Sequence, residues 1–161
     1  FIDNPENISI GDSVWIDRNS ILTAGVVQQK NIRTINNSDM DGRLLLGSNI
    51  HIGIGTIIQG HGGVSIQDYF TSGAGSKIYS LSNDVKKSHS GTNSRDKDSL
   101  HYIKGKVDIG RNVWLGINTT VVSTKIDDDV FTMPNSIITR PVEKNSIVGS
   151  TVKNSIGQRF E

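Results

Sequence analysis

The chain has 161 residues, of which 34% are hydrophobic and 6% aromatic, and its formal net charge at pH 7 is +1. This length suits a single domain, 1–161, but the low apolar content favours a narrow core of short aliphatic side chains over a wide layered one. The mixed, balanced charge argues against nucleic-acid and anionic-membrane partners. The absence of cysteine excludes disulfides, thiolate metal sites and a cysteine nucleophile.

No apolar run is long enough to span a bilayer, and the N-terminus shows no charged-then-apolar leader, so we expect a soluble, cytoplasmic protein. The four histidines are far apart and have no paired spacing, so we predict no metal site.

Aliphatic residues recur at steps of six along the chain. In chain order the five sets of three positions are Ile10, Ile16 and Leu22; Leu46, Ile52 and Ile58; Ile66, Ser72 and Ile78; Ile109, Leu115 and Val121; Ile126, Thr132 and Ile138. Three hexads would close one triangular coil of about eighteen residues, and stacked coils would pair their strands in parallel. A β-sandwich would show period-two alternation instead, so the pattern predicts a parallel β-helix.

The residue after the aliphatic position is often glycine, which suits a tight corner or a positive φ angle. The examples are Gly11, Gly47, Gly53, Gly73, Gly110 and Gly116. Two polar segments, about 25–44 and 80–106, lack the period and are predicted to be extruded loops. Because a solenoid supplies a rigid frame, we expect chemistry on these loops.

The segments "ISIGDSVWI", "LLGSNIHIGIGTII" and "VDIGRNVWLGINTTVV" resemble the left-handed β-helix hexapeptide-repeat acyltransferases, in the branch of galactoside, maltose, xenobiotic and surface-sugar acetyltransferases. The resemblance covers nearly the whole chain. It implies an all-β, left-handed parallel β-helix, with acetyl-CoA as the acyl donor, a sugar or saccharide acceptor, and a homotrimer whose sites are shared between subunits.

In that family a loop histidine after an "I-Y-x-x-x" strand deprotonates the sugar hydroxyl, because an alcohol is a poor nucleophile until a base takes its proton. The matching positions here hold Asn83 and Asp84. Three bases remain open: Asp84 itself, His89 on the same loop, and His61, which a count of stacked positions puts beneath Leu81. His61 also has a structural interpretation, as a corner histidine bonded to a neighbouring carbonyl group, and His89 has one as a solvated loop residue.

The resemblance also implies the cofactor side of the site. The "VWxG" corner would border the pantetheine arm, the "TMPNS" corner would lie against it, and cations near the end of the chain would meet the nucleotide phosphates. The corresponding residues are Trp114, Gly116, Ile117, Pro134, Thr139, Arg140 and Lys153.

The sequence, with this resemblance, therefore predicts an acetyl-CoA-dependent sugar O-acetyltransferase of surface-polysaccharide biosynthesis. Two alternatives stay open. An amino-sugar N-acetyltransferase would need no histidine, since a free amine is already nucleophilic, and a non-catalytic trimeric scaffold would keep the fold without the reaction.

Overall fold

The computed structural model describes residues 1–36, 39–84 and 100–149. Within these ranges the chain forms short β-strands and a single 3-10 turn at Pro5–Asn7. No helix in the described part is long and apolar enough to cross a membrane.

The strands follow one another with short corners between them. The first are β1 (Ile2–Asp3), β2 (Ile8–Ile10), β3 (Val14–Ile16), β4 (Ile21–Thr23) and β5 (Ile32–Asn36). Then come β6 (Leu44–Leu46), β7 (Ile50–Ile52), β8 (Ile57–Gln59), β9 (Val64–Ile66), β10 (Thr71–Ser72), β11 (Lys77–Tyr79) and β12 (Leu81–Asn83). The last are β13 (Tyr102–Gly105), β14 (Val107–Ile109), β15 (Trp114–Leu115), β16 (Thr120–Val122), β17 (Lys125–Ile126), β18 (Phe131–Thr132), β19 (Ile137–Ile138) and β20 (Ile147–Val148).

Three parallel sheets form the sides of a triangular prism. Sheet A has the order β1-β4-β8-β11-β16-β19, sheet B the order β2-β6-β9-β14-β17, and sheet C the order β3-β7-β10-β15-β18-β20. Each coil passes through B, C and A in turn, so every strand pairs with its counterpart on the next coil. The predicted parallel β-helix is confirmed.

The strand register matches the predicted hexads. On sheet C, for example, Ile16 pairs with Ile52, Ile52 with Ser72, and Ser72 with Leu115. All fifteen predicted positions occupy such matched places on the three sheets. Those beyond the first coil are buried, whereas Ile10 and Ile16 on that coil are partly exposed.

Two polar residues occupy aliphatic positions because their hydroxyl groups find partners inside the prism. The Ser72 Oγ accepts a hydrogen bond from the Gly53 amide at 2.9 Å and lies 3.0 Å from the Thr56 Oγ1. Thr132 repeats this arrangement with Gly116 and Thr119. A buried hydroxyl group is tolerated when it is hydrogen-bonded, so these positions keep the core intact.

The glycines after the aliphatic positions were expected at tight corners or positive φ angles, and the structure gives them a different reason. A Cβ atom on Gly53 would lie 2.4 Å from the Ser72 carbonyl oxygen, and one on Gly73 would lie 2.6 Å from the Ile117 amide nitrogen. Positive φ angles fall elsewhere in the corners, as at Gly55 and Asn118. These glycines therefore permit close stacking of successive coils.

The two predicted loops leave the prism at the same edge, between sheets A and B, and they contain strands that pair with one another. β12 pairs antiparallel with β13, and β13 pairs parallel with β5. We call the three-stranded sheet of β5, β12 and β13 the arm. Both segments are extruded from the prism as predicted, and their described parts also contain paired strands, which the sequence did not indicate.

Candidate functional site

A groove of about 420 Å³ runs along the outer face of sheet C and the corners that lead to sheet A. It extends from the first coil to the fifth, which is about 19 Å at the usual strand spacing. Its lining residues are Asp17, His51, Gly53, Ile54, Thr71, Ser72, Gly73, Ala74, Trp114, Gly116, Ile117, Phe131 and Pro134. The wall is mainly apolar side chains and glycine-rich backbone.

Four of the residues predicted to meet the cofactor line this groove together: Trp114, Gly116, Ile117 and Pro134. The Trp114 side chain is 58% exposed and packs edge to face on Phe131, with ring centroids 5.8 Å apart. An indole that is held on one side and open on the other offers a flat apolar surface to a ligand. Gly116 also has a structural role, because a Cβ atom there would lie 2.5 Å from the Thr132 carbonyl oxygen.

The end of the groove on the first two coils carries a histidine and a carboxylate. The His51 Nε2 lies 3.0 Å from the Asp17 Oδ2, and the Trp15 Nε1 donates to the Asp17 Oδ1 at 2.9 Å. The hydrogen bond with His51, assisted by the one from Trp15, holds the pKa of the Asp17 carboxyl group below its usual value of 3.8. The carboxylate is therefore ionised throughout the neutral range.

A second pocket, of about 360 Å³, lies where the arm meets sheet A. Its lining residues are Gln59, Tyr79, Leu81, Ser82, Asn83, Tyr102 and Val122. The predicted residue Asn83 is thus part of a pocket, together with two tyrosine rings. The Gln59 side chain is committed to the fold, since its Oε1 accepts a hydrogen bond from the Leu81 amide.

Asp84, a predicted base, has a structural role in the arm. Its side chain is 2% exposed, and its carboxylate faces the Arg33 guanidinium group, with an Nε to Oδ2 distance of 3.4 Å. Its backbone amide donates to the His101 carbonyl group at 2.8 Å. Asp84 therefore connects β12 to β5 and does not line either pocket.

His61 lies in the corner between β8 and β9, and its side chain turns towards the first coil. The Nδ1 is 2.8 Å from the Gly25 carbonyl oxygen, and the His61 carbonyl group accepts from the Gly42 amide. The expected position beneath Leu81 matches the strand register, in which Gln59 pairs with Tyr79, but the imidazole is bonded to the root of the first excursion. His61 thus makes the contact of its structural interpretation, in which a corner histidine is bonded to a neighbouring carbonyl group.

The remaining predicted residues lie apart from the groove. Thr139 and Arg140 are exposed and follow β19, one coil beyond Val122 on the sheet A side. His89 and Lys153 lie outside the described residues.

Sequence reasoning missed the His51 and Asp17 pair, because His51 was interpreted as a residue on the strand surface. The signal was available in the repeat: Trp15 and His51 occupy matched positions on neighbouring coils, and Asp17 follows two residues after Trp15. The rings of Tyr79 and Tyr102 were also missed, since no sequence pattern placed the second excursion against sheet A.

The structure is similar to several solved acyltransferases. The N-acyltransferase AntD from Bacillus cereus, in complex with dTDP and coenzyme A, gives a TM-score of 0.75 at 20% identity, covering 94% of this chain and 73% of that chain. A maltose O-acetyltransferase from Clostridium difficile gives 0.59 at 17% identity, covering 90% and 66%. A hexapeptide-repeat acetyltransferase from Vibrio cholerae gives 0.57 at 18%, covering 92% and 72%.

No family model matches the chain, and no curated protein sequence matches it significantly. The similarity to the solved structures is one of fold: the chain is a left-handed parallel β-helix, as the resemblance to hexapeptide-repeat acyltransferases implied.

Proposed function

We propose that this protein transfers an acetyl group from acetyl-CoA to a sugar. The observation that carries the proposal is the groove on sheet C, which gathers Trp114, Gly116, Ile117 and Pro134 on one continuous surface. The fold similarity to AntD, whose structures hold coenzyme A or 3-hydroxybutyryl-CoA, supports the same class of donor.

The groove fits an extended thioester arm. It extends over five coils, and the apolar faces of Trp114 and Ile117 would pack on a flexible chain. Pro134 belongs to the lining, whereas the Met133 side chain points to Gly149, so the larger residues of this corner leave the groove open. The cationic residue Arg140 would bind the phosphates of the nucleotide from a neighbouring face.

The pocket beside the arm is our candidate acceptor site. The faces of Tyr79 and Tyr102 would pack on a sugar ring, and the polar side chains of Ser82 and Asn83 would bind its hydroxyl groups. The groove is lined by corners that precede the strands of sheet A, and the pocket by residues at the ends of those strands. Donor and acceptor therefore occupy separate faces of one subunit.

This separation supports the homotrimer that we expect. If three prisms associate side by side, the pocket of one subunit can face the groove of its neighbour. Large apolar side chains are exposed on this side of the prism: Ile54 and Ile117 in corners between sheets C and A, and Ile137 on β19 of sheet A. Association would cover them. Light scattering should give three times the subunit mass, and a monomer at micromolar concentration would contradict the shared site.

Because the donor is a CoA thioester, we place the reaction in the cytoplasm.

A hydroxyl acceptor remains our first candidate. An amine acceptor is the second, favoured by the fold similarity to AntD, of which two mutant structures hold dTDP-4-amino-4,6-dideoxyglucose. In either reaction the acceptor atom attacks the thioester carbonyl carbon and the carbon–sulfur bond breaks. The pocket residue Asn83 would position the acceptor. The predicted base His61 is bonded to the Gly25 carbonyl oxygen and lines neither the groove nor the pocket.

Calorimetry with acetyl-CoA tests the donor site. The parent protein should bind, and Trp114→Ala should lose about tenfold in affinity because part of the apolar surface is removed. Arg140→Ala should weaken binding by roughly 1–3 kcal/mol through loss of a phosphate contact. Ile35→Ala, on an exposed residue of the arm, is the control and should bind like the parent.

Release of CoA in the presence of maltose or dTDP-4-amino-4,6-dideoxyglucose then separates hydroxyl from amine acceptors. A parent protein that binds no acetyl-CoA would contradict the proposal and favour the scaffold.

A further inference from the structure

The geometry points to His51 as the general base of the transfer, oriented by Asp17 at one end of the groove. This inference rests on the proposed function, and it places the base on sheet C instead of on the second excursion. It assigns a catalytic role to His51 and a positioning role to Asp17.

The hydrogen bonds define which nitrogen of His51 can accept a proton. A carboxylate only accepts hydrogen bonds, so the nitrogen that faces Asp17, the Nε2, carries the proton in the neutral ring. The other nitrogen, Nδ1, then holds the lone pair, and it has no hydrogen-bond partner in the described part of the chain. This is the arrangement that a carboxylate gives to a histidine base.

The carboxylate is itself held in place. Its second oxygen accepts the hydrogen bond from the Trp15 Nε1, and the Trp15 ring packs edge-on against the His51 ring, with centroids 6.2 Å apart. Indole and carboxylate together restrict the orientation of the imidazole. Such support from a second layer of residues is what a general base needs.

His51 lies in the same outward-facing column as the residues proposed to hold the donor. It pairs with Thr71, which pairs with Trp114, so the two rings are two strands apart, about 10 Å. With the nucleotide towards Arg140 on the fifth coil, the thioester end of an extended donor points to the first coils. That direction leads to His51.

In the described part of the chain, His51 forms one ion pair, with Asp17. Trp15 faces it from β3 and Thr71 from β10, and Asp17 is the other titratable residue among those that line the groove. By contrast, His61 bonds to a backbone carbonyl group and lines neither pocket. A carboxylate stabilises the imidazolium that forms when the base takes a proton, and a neutral carbonyl group does so less.

His51 would take one proton and give it back during the transfer. The acceptor oxygen or nitrogen attacks the thioester carbonyl carbon while the His51 Nδ1 takes its proton. The carbon–sulfur bond then breaks, and the CoA sulfur leaves with the bonding electron pair. The imidazolium returns its proton to that sulfur, which restores neutral His51 and yields the acylated sugar and free CoA.

Steady-state kinetics on the full chain, with acetyl-CoA and whichever of maltose or dTDP-4-amino-4,6-dideoxyglucose is acylated, test the assignment. His51→Gln should lower kcat by a factor of about 10²–10⁴ while calorimetry shows unchanged acetyl-CoA affinity. His61→Gln is the matched control and should keep parental kcat. The assignment is overturned if His61→Gln loses kcat while His51→Gln keeps it. It is also overturned if His51→Gln loses acetyl-CoA affinity by the same factor as kcat.

Asp17→Asn tests the positioning role. It should lower kcat less than His51→Gln, because an amide can either donate or accept and so no longer fixes the Nε2–H form of the ring. Nitrogen NMR should find the Nε2–H form of His51 in the parent and a mixture of forms in Asp17→Asn. An unchanged kcat and an unchanged NMR spectrum would overturn the role of Asp17.

The two proposals fail in different ways. If the parent protein releases CoA and His51→Gln does so at the same rate, His51 is not the base and the transferase function stands. If the parent neither binds acetyl-CoA nor releases CoA with either probe, both proposals fall.

Discussion

The coils and the arm are held together by different means. A coil strand pairs with a strand one coil away, as Ile58 does with Ile78, and the side chains between them are buried and aliphatic. The arm pairs segments far apart in sequence, as β5 does with β13, and its packing includes the ion pairs Arg33–Asp84 and Lys104–Asp41. Stability should therefore come mainly from the coils, while the arm shapes a pocket.

The largest effect on stability is expected in the aliphatic core of the coils. Ile58 is fully buried on sheet A, and Ile58→Ala should lower the free energy of unfolding by about 2–5 kcal/mol, because apolar contacts are lost and a cavity remains. Ile54→Ala, on a half-exposed corner residue, is the matched control. Denaturant unfolding measures both, and equal costs would contradict a stabilising aliphatic core.

Coil stacking should be the next most sensitive feature. A Cβ atom on Gly116 would meet the Thr132 carbonyl oxygen at 2.5 Å and the Pro134 nitrogen at 2.6 Å, so Gly116→Ala should cost about 1–3 kcal/mol of unfolding free energy. Gly55→Ala is a useful comparison, because its Cβ would meet nothing within 4 Å and only its φ of 68° opposes the change. If Gly116→Ala lost less free energy of unfolding than Gly55→Ala, the coils would have to move apart to accommodate the added methyl group, which would contradict this prediction.

In the arm, the buried carboxylate can be tested by a double-mutant cycle. Asp84→Asn should cost about 1–2 kcal/mol, because Arg33 loses its charged partner and the arm strands lose a contact. Arg33→Met leaves the carboxylate buried without that partner, and the double variant should be more stable than the sum of the single losses predicts. Strict additivity would mean that the ion pair contributes nothing to the arm.

The smallest effect is expected at an exposed corner. The Asn112 Nδ2 donates to the Asp129 Oδ1, and this hydrogen bond, with the nearby Lys144 charge, holds the pKa of Asp129 below 3.8. Asn112→Gly, which suits the φ of 54° at this position, should raise that pKa. A lowered carboxyl pKa stabilises the fold above the unfolded value, and this contribution is lost as the pH falls through the folded value. The parent and the variant should therefore have the same free energy of unfolding in strong acid. NMR titration of the carboxyl group measures the pKa of Asp129 directly.

The sequence predicted the coils because each hexad repeats the same local requirement, an inward aliphatic residue and a tight corner. It did not predict the arm, since the pairing of Ile32 with Tyr102 spans 70 residues and neither segment carries a period. At the candidate site, the Trp114 corner followed from its motif. The His51 and Asp17 pair was missed because the two residues come together only through the register between coils, and that register has to be applied to outward side chains as well as to the core.

The arm also has a consequence for how the protein opens. Its strand β5 follows the first coil, and its strands β12 and β13 follow the third. The pairing of β5 with β13 therefore links the first three coils to one another. In the described part of the chain, the strands of the fourth and fifth coils pair with strands of neighbouring coils and with none of the arm, as in other solenoids. Amide hydrogen exchange should then divide the molecule into a slowly exchanging N-terminal unit of three coils and a C-terminal unit that opens at lower free energy. Trp114 and Pro134 lie in the second unit, so a bound donor would protect the part of the molecule that frays first.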